Sequence, residues 1–553
     1  MSVSKSNPAA QSAAPAPKRF VFEARRAKAP PPEGLSWELQ VAVFLAAVVL
    51  VISRRPDAVL NPQFFGEDGG IWFPEAYMLG WVSALTRPEH GYFQTLPKLV
   101  SAIALLVPFR FAPLLMNLVG ITVQVLPVNM LLSTRCRNWA PLFVRSLMAI
   151  LYVGLPNSFE LNAAIVEGQW HLALLACLVV LGTVPPNVWW RMFDAGVILL
   201  SGVTGPFSLV LLCIAIVFWF LRRDRWRMII VGIVGIGALI QLSAIVQSAA
   251  ATRPRVGLGA SPELFVRLLA GQVYLGALLG GSAFNNTHLS FRLLAAVAVL
   301  GTAVVVYCIS KARPEWKLFL AFAFLIFAAG LRNPMMSMTI PQWKVLVDTP
   351  GIRYWFFPMV GFVWALVWCA TTSGTRLIRI LAGAALLLML YGIGQDWVYP
   401  AYPDLGFQQY AAKFASAAPG TVVTIPIVPA GWTMRLTKHT PLCRSMPFGR
   451  IDEPSAGARV LNAADAAGWV AAKAPVERVS LFIDGKGVGS TRPSILRPDV
   501  DTLYPQFSMK DKGWGAVLDL SNVPPGRHEI EARASDAHGC DAEFDAVSVE
   551  RVK

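Results

Sequence analysis

Apolar runs about as long as a bilayer is thick recur from residue 38 to residue 393 of this 553-residue chain. Backbone inside lipid must satisfy its own hydrogen bonds, so these runs restrict that stretch to a bundle of α-helices. The first run, Val41–Ile52 (VAVFLAAVVLVI), is closed by Arg54 and Arg55. Others fall near 94–107, 112–133, 141–157, 163–182, 192–204, 207–221, 228–246, 291–309, 316–331, 353–370 and 376–393. Residues 263–283 read as a re-entrant or interfacial helix. Several runs are short for a crossing, so the expected count is about 10–13. A mean hydropathy of +0.53, with 55% hydrophobic and 15% charged residues, excludes an ordinary soluble domain.

The formal net charge is +15, yet the basic residues gather at the ends of apolar runs. Lys18, Arg19, Arg25, Arg26 and Lys28 precede the first run, and Arg222, Arg223, Arg225 and Arg227 surround one turn. That is the positive-inside pattern, so charge reports topology and anionic lipid and implies no nucleic-acid partner. Residues 1–35 are expected to be a basic cytoplasmic leader to a retained anchor. The turns at Lys311–Lys317 and Arg376–Arg379 also favour the cytoplasm. Residues 247–290, 332–352 and 394–553 then lie outside. One conflict stands: Arg135 and Arg137 ask to be inside, which requires 94–133 to cross an odd number of times although it reads as two helices; either one of those helices is not a full crossing or the charge rule fails at that turn.

Beyond residue 393 the pattern changes. Val422–Val428 is strand-like. Val479–Ile483, the Asp484-Gly485 turn and Gly487–Gly489 read as a hairpin, and Gly515–Leu520, His528–Ala534 and Phe544–Glu550 add short alternating strands. The expectation is a membrane domain over 36–393, a mixed linker domain over 394–469 and a β-sandwich over 470–553. Of seven cysteines, Cys443 and Cys540 alone lie in this tail and can pair if the compartment is oxidising, though sequence does not fix their geometry. Cys177, Cys213, Cys308 and Cys369 sit in apolar runs as small hydrophobes. No Cys/His spacing suggests zinc.

Chemistry-bearing residues cluster near run ends. Glu67-Asp68, flanked by Gly66, Gly69 and Gly70, follows the first run and precedes Trp72–Leu85, an aromatic amphipathic stretch expected to lie in the interface. A carboxylate there can take a proton from a hydroxyl or hold a divalent cation, Mg or Mn, against a diphosphate. Adjacent residues on an extended loop diverge, so one acid is expected to meet the acceptor, and Asp68 is favoured. The plainer alternative is a solvated Asp-Gly turn. His90, Tyr92 and Lys98 follow; Lys98 either pairs with phosphate or snorkels to headgroups. Glu160, Asn162, Glu167, Gln169, Trp170 and His171 form the densest polar cluster. An unpaired acid inside a span costs about 2.5–3.5 kcal/mol, so the cluster faces a cavity or forms an interhelical network. Arg332 and Arg353-Tyr354, on one outer loop, suit a lipid phosphate or an aromatic belt. Gly205-Pro206 reads as a structural helix break. There is no P-loop and no GxSxG.

Glu67-Asp68 after the first span, Gln169-Trp170 near a span and Arg353-Tyr354 at the mouth of a late one resemble the polytopic GT-C class of glycosyltransferases. The resemblance extends over residues 36–393 in layout. It implies Asp68 or Glu67 as general base and Arg353 on the donor phosphate. His90, Tyr92, Lys98, Glu160, Glu167, Gln169, His171, Arg332 and Tyr354 are then candidates for substrate binding. It also implies a polyprenyl-phosphate-linked sugar as donor, an envelope glycan, lipopolysaccharide or protein as acceptor, and contact with membrane lipid. The setting would be a bacterial inner membrane, with the N-terminus cytoplasmic and the tail periplasmic. The single acidic pair departs from the class, which also carries a second acidic loop. Two other readings remain: a transporter or flippase of lipid-linked sugar, or a non-catalytic scaffold presenting the tail. A transporter would show internal repeats and mid-span polar residues.

Overall fold

The computed structural model describes residues 34–89, 91–248, 256–281, 289–337, 339–439, 443, 446–505, 507 and 509–552. A helical bundle is followed by a region of β-sheet. Among the described residues, eight helices are long and apolar enough to cross a membrane: Trp37–Arg54, Phe109–Leu132, Arg225–Gln247, Pro262–Leu279, Phe291–Lys311, Pro314–Arg332, Arg353–Thr372 and Arg376–Gln395. Thr95–Ala104, Leu142–Val153, Gly168–Leu181 and Phe207–Arg222 are shorter and also apolar. This is a multi-pass membrane arrangement. Residues 1–33 of the expected leader lie outside the described residues.

The stretch 94–133 splits unequally. Thr95–Ala104 has 10 residues, about 15 Å at 1.5 Å per residue, half the ~30 Å hydrocarbon thickness. Phe109–Leu132 has 24. Thr95–Ala104 is therefore too short to cross a bilayer as a straight helix. Residues Pro262–Leu279 form an 18-residue run whose middle, Leu268–Leu275, is a wide π-helical turn.

Several arginines at helix ends are buried and bonded. Arg135 is 1% exposed, and its two terminal nitrogens meet both oxygens of Asp194 at 2.9 and 2.8 Å. Its Nε donates to the Thr183 carbonyl, and the Trp226 indole also donates to Asp194. Arg145 donates to the carbonyls of Leu131, Ser133 and Ala140. Arg54 ties the end of the first helix to the carbonyls of Val153, Leu155 and Asp396 and to the Tyr399 hydroxyl. Arg55 lies 4.2 Å from the ring centres of both Phe159 and Tyr402. Inside lipid, apolar contact gives helices little reason to prefer one neighbour, so such polar ties do much to fix their arrangement.

The β-region opens with a hairpin, β1 (Val422–Ile427) and β2 (Trp432–Thr437), paired antiparallel. After it come β3 (Phe448–Glu453), β4 (Arg459–Val460), β5 (Ala463–Ala471), β6 (Val476–Ile483), β7 (Lys486–Thr491), β8 (Gly513–Asp519), β9 (Gly526–Asp536) and β10 (Asp541–Arg551). They form a five-stranded sheet, β4-β10-β9-β6-β7, and a three-stranded sheet, β3-β5-β8. Ile451, Val470 and Trp514 from the smaller sheet share one core with Leu481, Ile530 and Val549 from the larger. Together the two sheets curl as a half-barrel, and their strands begin at Phe448, ahead of residue 470. The β6–β7 hairpin turns at Asp484-Gly485, both with positive φ (49° and 77°), as an Asp-Gly turn requires. Cys443 and Cys540 form a disulfide with Cα atoms 5.6 Å apart.

Removing one partner of a buried ion pair strands the other charge, at a cost of about 3–5 kcal/mol. Asp194→Ala should therefore lower the thermal midpoint of the detergent-solubilised protein substantially. Arg332→Ala, at an exposed guanidinium, should leave it within error.

Candidate functional site

The acidic pair opens a wide turn. Glu67 precedes a five-residue π-helix, Asp68–Trp72, which runs directly into the helix Phe73–Leu79. The aromatic stretch expected as one interfacial helix breaks at Gly80 (φ 82°) and resumes as Trp81–Leu85. The β1–β2 hairpin supports this turn. The Val428 amide donates to the Phe64 carbonyl at 3.1 Å, and the Gly66 amide donates back to the Val428 carbonyl. A Cβ at Gly69 would lie 2.6 Å from the Phe64 Cβ and 3.1 Å from Ile427. Tight packing of the turn against its support accounts for that glycine.

The two acids do diverge, and the one on the cavity wall is Glu67. A cavity of ≈ 410 Å³ is lined by Glu67 and Trp72 from the turn, Tyr92 and Gln94 from the segment before Thr95–Ala104, and Glu167, Gln169 and Trp170. Pro206 and Phe207, Asn333 and the pair Arg353-Tyr354 complete the polar and aromatic part of its wall. Asp68 is 2% exposed and is absent from this lining. Its Oδ1 has no hydrogen-bond partner among the described residues. Burial, and then the neighbouring Glu67 charge, hold the Asp68 carboxyl well above the usual carboxylate range.

Arg353 organises the far wall. Its Nη1 forms a close ion pair with Glu160 and reaches Glu167 Oε1 at 3.3 Å. Its backbone amide donates to Glu160 Oε2 at 2.7 Å, and the Glu160 amide donates to the Gly351 carbonyl at 2.8 Å. Glu160 thus holds Arg353 from outside the lining. Burial first, then the Glu160 charge, push the Glu167 carboxyl upward, while Arg353 opposes them. The Tyr354 hydroxyl accepts from the Met335 amide at 3.0 Å.

Other candidates are engaged elsewhere. Lys98 is fully buried; its Nζ lies 2.8 Å from Glu75 Oε2 and donates to the Arg87 carbonyl. It therefore neither reaches the cavity nor snorkels. Arg87 pairs with Glu75 at 2.8 Å and with Glu89 at 3.7 Å, and it stacks 4.2 Å from the ring centre of Tyr504 in the β-region. His171 bonds the Tyr152 hydroxyl and the Leu161 carbonyl through its two nitrogens. Arg332 is exposed, and its neighbour Asn333 lines the cavity instead. His90 lies outside the described residues.

The expected divalent cation, Mg or Mn, is not supported. Among the described residues no group of three or more His, Cys, Asp or Glu is placed to hold a metal ion. Asp68 turns away from the cavity, and Glu160 and Glu167 are bound to Arg353, so the carboxylates do not assemble into a ligand set. Sequence reading also missed Trp72 and Gln94 as wall residues. The Gly205-Pro206 break gave the available signal for one more segment. The Gly205 amide (φ 77°) donates to the Phe93 carbonyl at 2.9 Å, which places Pro206 and Phe207 in the wall.

No family model matches this chain, and no curated protein matches it. Among solved structures, it is similar to the fibronectin(III)-like modules of Clostridium thermocellum CbhA at 12% identity, covering 24% of this chain and 60% of that one, with a TM-score of 0.14. It is also similar to the twitchin kinase region from C. elegans at 13% identity, covering 46% of this chain and 45% of that one, with a TM-score of 0.14. The chain thus spans less than two thirds of either, and likenesses this slight carry no argument about fold or activity.

Beside the cavity, burial first and then the Glu75 charge raise Glu89 from 4.5 to about 7, while Arg87 and Lys98 oppose them. A carboxyl whose folded value exceeds its unfolded one adds stability at low pH that is lost as pH rises through the folded value. The thermal midpoint should accordingly fall between about pH 4.5 and about 7. Glu89→Gln should flatten that fall in a pH series of melting curves.

Proposed function

We propose that this chain is a membrane-embedded glycosyltransferase of the GT-C kind. It transfers a sugar from a polyprenyl-phosphate donor to an envelope glycan or lipopolysaccharide acceptor. The observation that carries the reading is the meeting of Glu67, Tyr92, Glu167, Gln169, Arg353 and Tyr354 on one cavity. They come from segments far apart in sequence. A carboxylate facing an arginine across an aromatic, amide-lined pocket has the parts for displacement at a sugar carbon.

In this reading the Glu67 carboxylate takes the proton of the acceptor hydroxyl. The acceptor oxygen attacks the anomeric carbon, and the bond from that carbon to the donor phosphate oxygen breaks. The phosphate leaves with the electron pair beside Arg353, and the anomeric configuration inverts. The donor arrives already activated, so no nucleotide is consumed at the site.

Sidedness has two supports. Backbone bonds join Val428 to Phe64 and Gly66, so the acidic turn and the tail share one side of the membrane. The Cys443–Cys540 disulfide suits an oxidising compartment, which favours the periplasm for that side in this reading. The Trp37–Arg54 helix then carries the chain there from a cytoplasmic N-terminus, in a bacterial inner membrane.

Profiling of envelope glycans from cells with the intact protein and with Glu67→Gln tests the reading. Loss of a general base lowers transfer on the order of 100-fold or more, so the modified glycan should nearly vanish. An unchanged profile at equal protein level would defeat it.

A further inference from the structure

Five nearly buried polar atoms on residues lining the cavity have no hydrogen-bond partner among the described residues. Trp72 Nε1 and Trp170 Nε1 are donors, Gln94 Oε1 and Gln169 Oε1 are acceptors, and Glu167 Oε2 accepts as a carboxylate or donates once protonated. Their residues are 1%, 7%, 4%, 3% and 7% exposed, in that order. Native proteins rarely bury polar atoms unpaired, and a group of them on one cavity marks where a ligand completes the set.

The set discriminates between ligand chemistries. Phosphate and carboxylate oxygens accept, so they would satisfy the indoles but leave the two amide oxygens, Gln94 Oε1 and Gln169 Oε1, without a donor. An ammonium or guanidinium donates only and would leave the indoles unmet. A hydroxyl both donates and accepts, so a ring bearing several hydroxyls can serve both classes at once. The Trp170 ring meets Phe207 edge-on, with centroids 4.9 Å apart, and lies 6.3 Å from Tyr354. This supplies apolar surface for the C–H faces of such a ring.

We propose that Trp72, Gln94, Glu167, Gln169 and Trp170 form the glycosyl subsite and select a neutral, polyhydroxylated sugar. The charged phosphate stays towards Arg353, outside this subsite. The inference rests on the lipid-linked donor reading above and adds the class of sugar and the residues that choose it.

The test is binding to the purified full-length protein in lipid nanodiscs. The probes are farnesyl phosphate, its glucosyl, galactosyl and mannosyl phosphodiesters, and the glucuronyl analogue. At least one neutral sugar should bind about tenfold or more tighter than farnesyl phosphate, and the glucuronyl probe should gain nothing. Trp170→Phe, which keeps a ring and removes the N–H, and Gln169→Met should each remove about tenfold of that gain. Both should leave farnesyl phosphate binding within about twofold, which also shows that the variants are folded. The proposal is overturned if no neutral sugar adds affinity, if the glucuronyl probe binds as tightly, or if neither variant reduces the gain. Should farnesyl phosphate bind while sugars add nothing, the subsite fails and the lipid-carrier reading survives. Should farnesyl phosphate not bind at all, both fall.

Discussion

One guanidinium holds the cavity in shape. Arg353 is gripped by Glu160 and Glu167, and the backbone of its loop is bonded to Glu160 in both directions. The same loop is pinned by Asn157, whose side chain accepts from the Gly351 amide and donates to the Gln272 carbonyl. Two stretches nearly 200 residues apart in sequence thus meet edge to edge. In lipid, where burying apolar surface rewards no particular neighbour, a tie of this kind decides which helix ends adjoin. The aromatic wall follows from it, because Tyr354 and Trp170 are carried by the two stretches that Arg353 joins.

The same economy explains Arg135, one of the two arginines behind the topological conflict; Arg137 beside it is exposed. Counting basic residues assumes that each charge seeks the headgroups. Arg54, Arg55, Arg135 and Arg145 are all at most 1% exposed and spend their N–H groups on carbonyls, rings or Asp194. They are structural rivets, so they cast no vote on orientation. The clusters at Arg222–Arg227 and Arg376–Arg379 contain exposed arginines, which are free to seek the headgroups.

Much of the site was legible because polar residues are expensive near a bilayer and stand out for that reason. Glu67, the Glu160–His171 cluster and Arg353-Tyr354 were all visible as polar residues beside apolar runs. The partners were not. Nothing local tells that Lys98 will bury itself on Glu75, or that Arg87 will stack on Tyr504. Between the adjacent acids, sequence favoured Asp68 while the cavity wall carries Glu67; the π-helix that Asp68 begins could not be read from local sequence. The metal expectation counted carboxylates without their counterions. The tail was read from its alternating β-branched strands. β5, an alanine-rich strand (AADAAGWVA), carries no such pattern, although Ala464, Ala466 and Val470 contribute to the core.

The two backbone bonds between Val428 and the Phe64–Gly66 segment give the tail a part in the membrane domain's own architecture. Strand-like pairing of this sort registers one chain segment against another, and here it registers the hairpin against the turn that carries Glu67. The tail is then a splint for that turn. A chain shortened at the bilayer exit would lose the brace beneath its acidic corner.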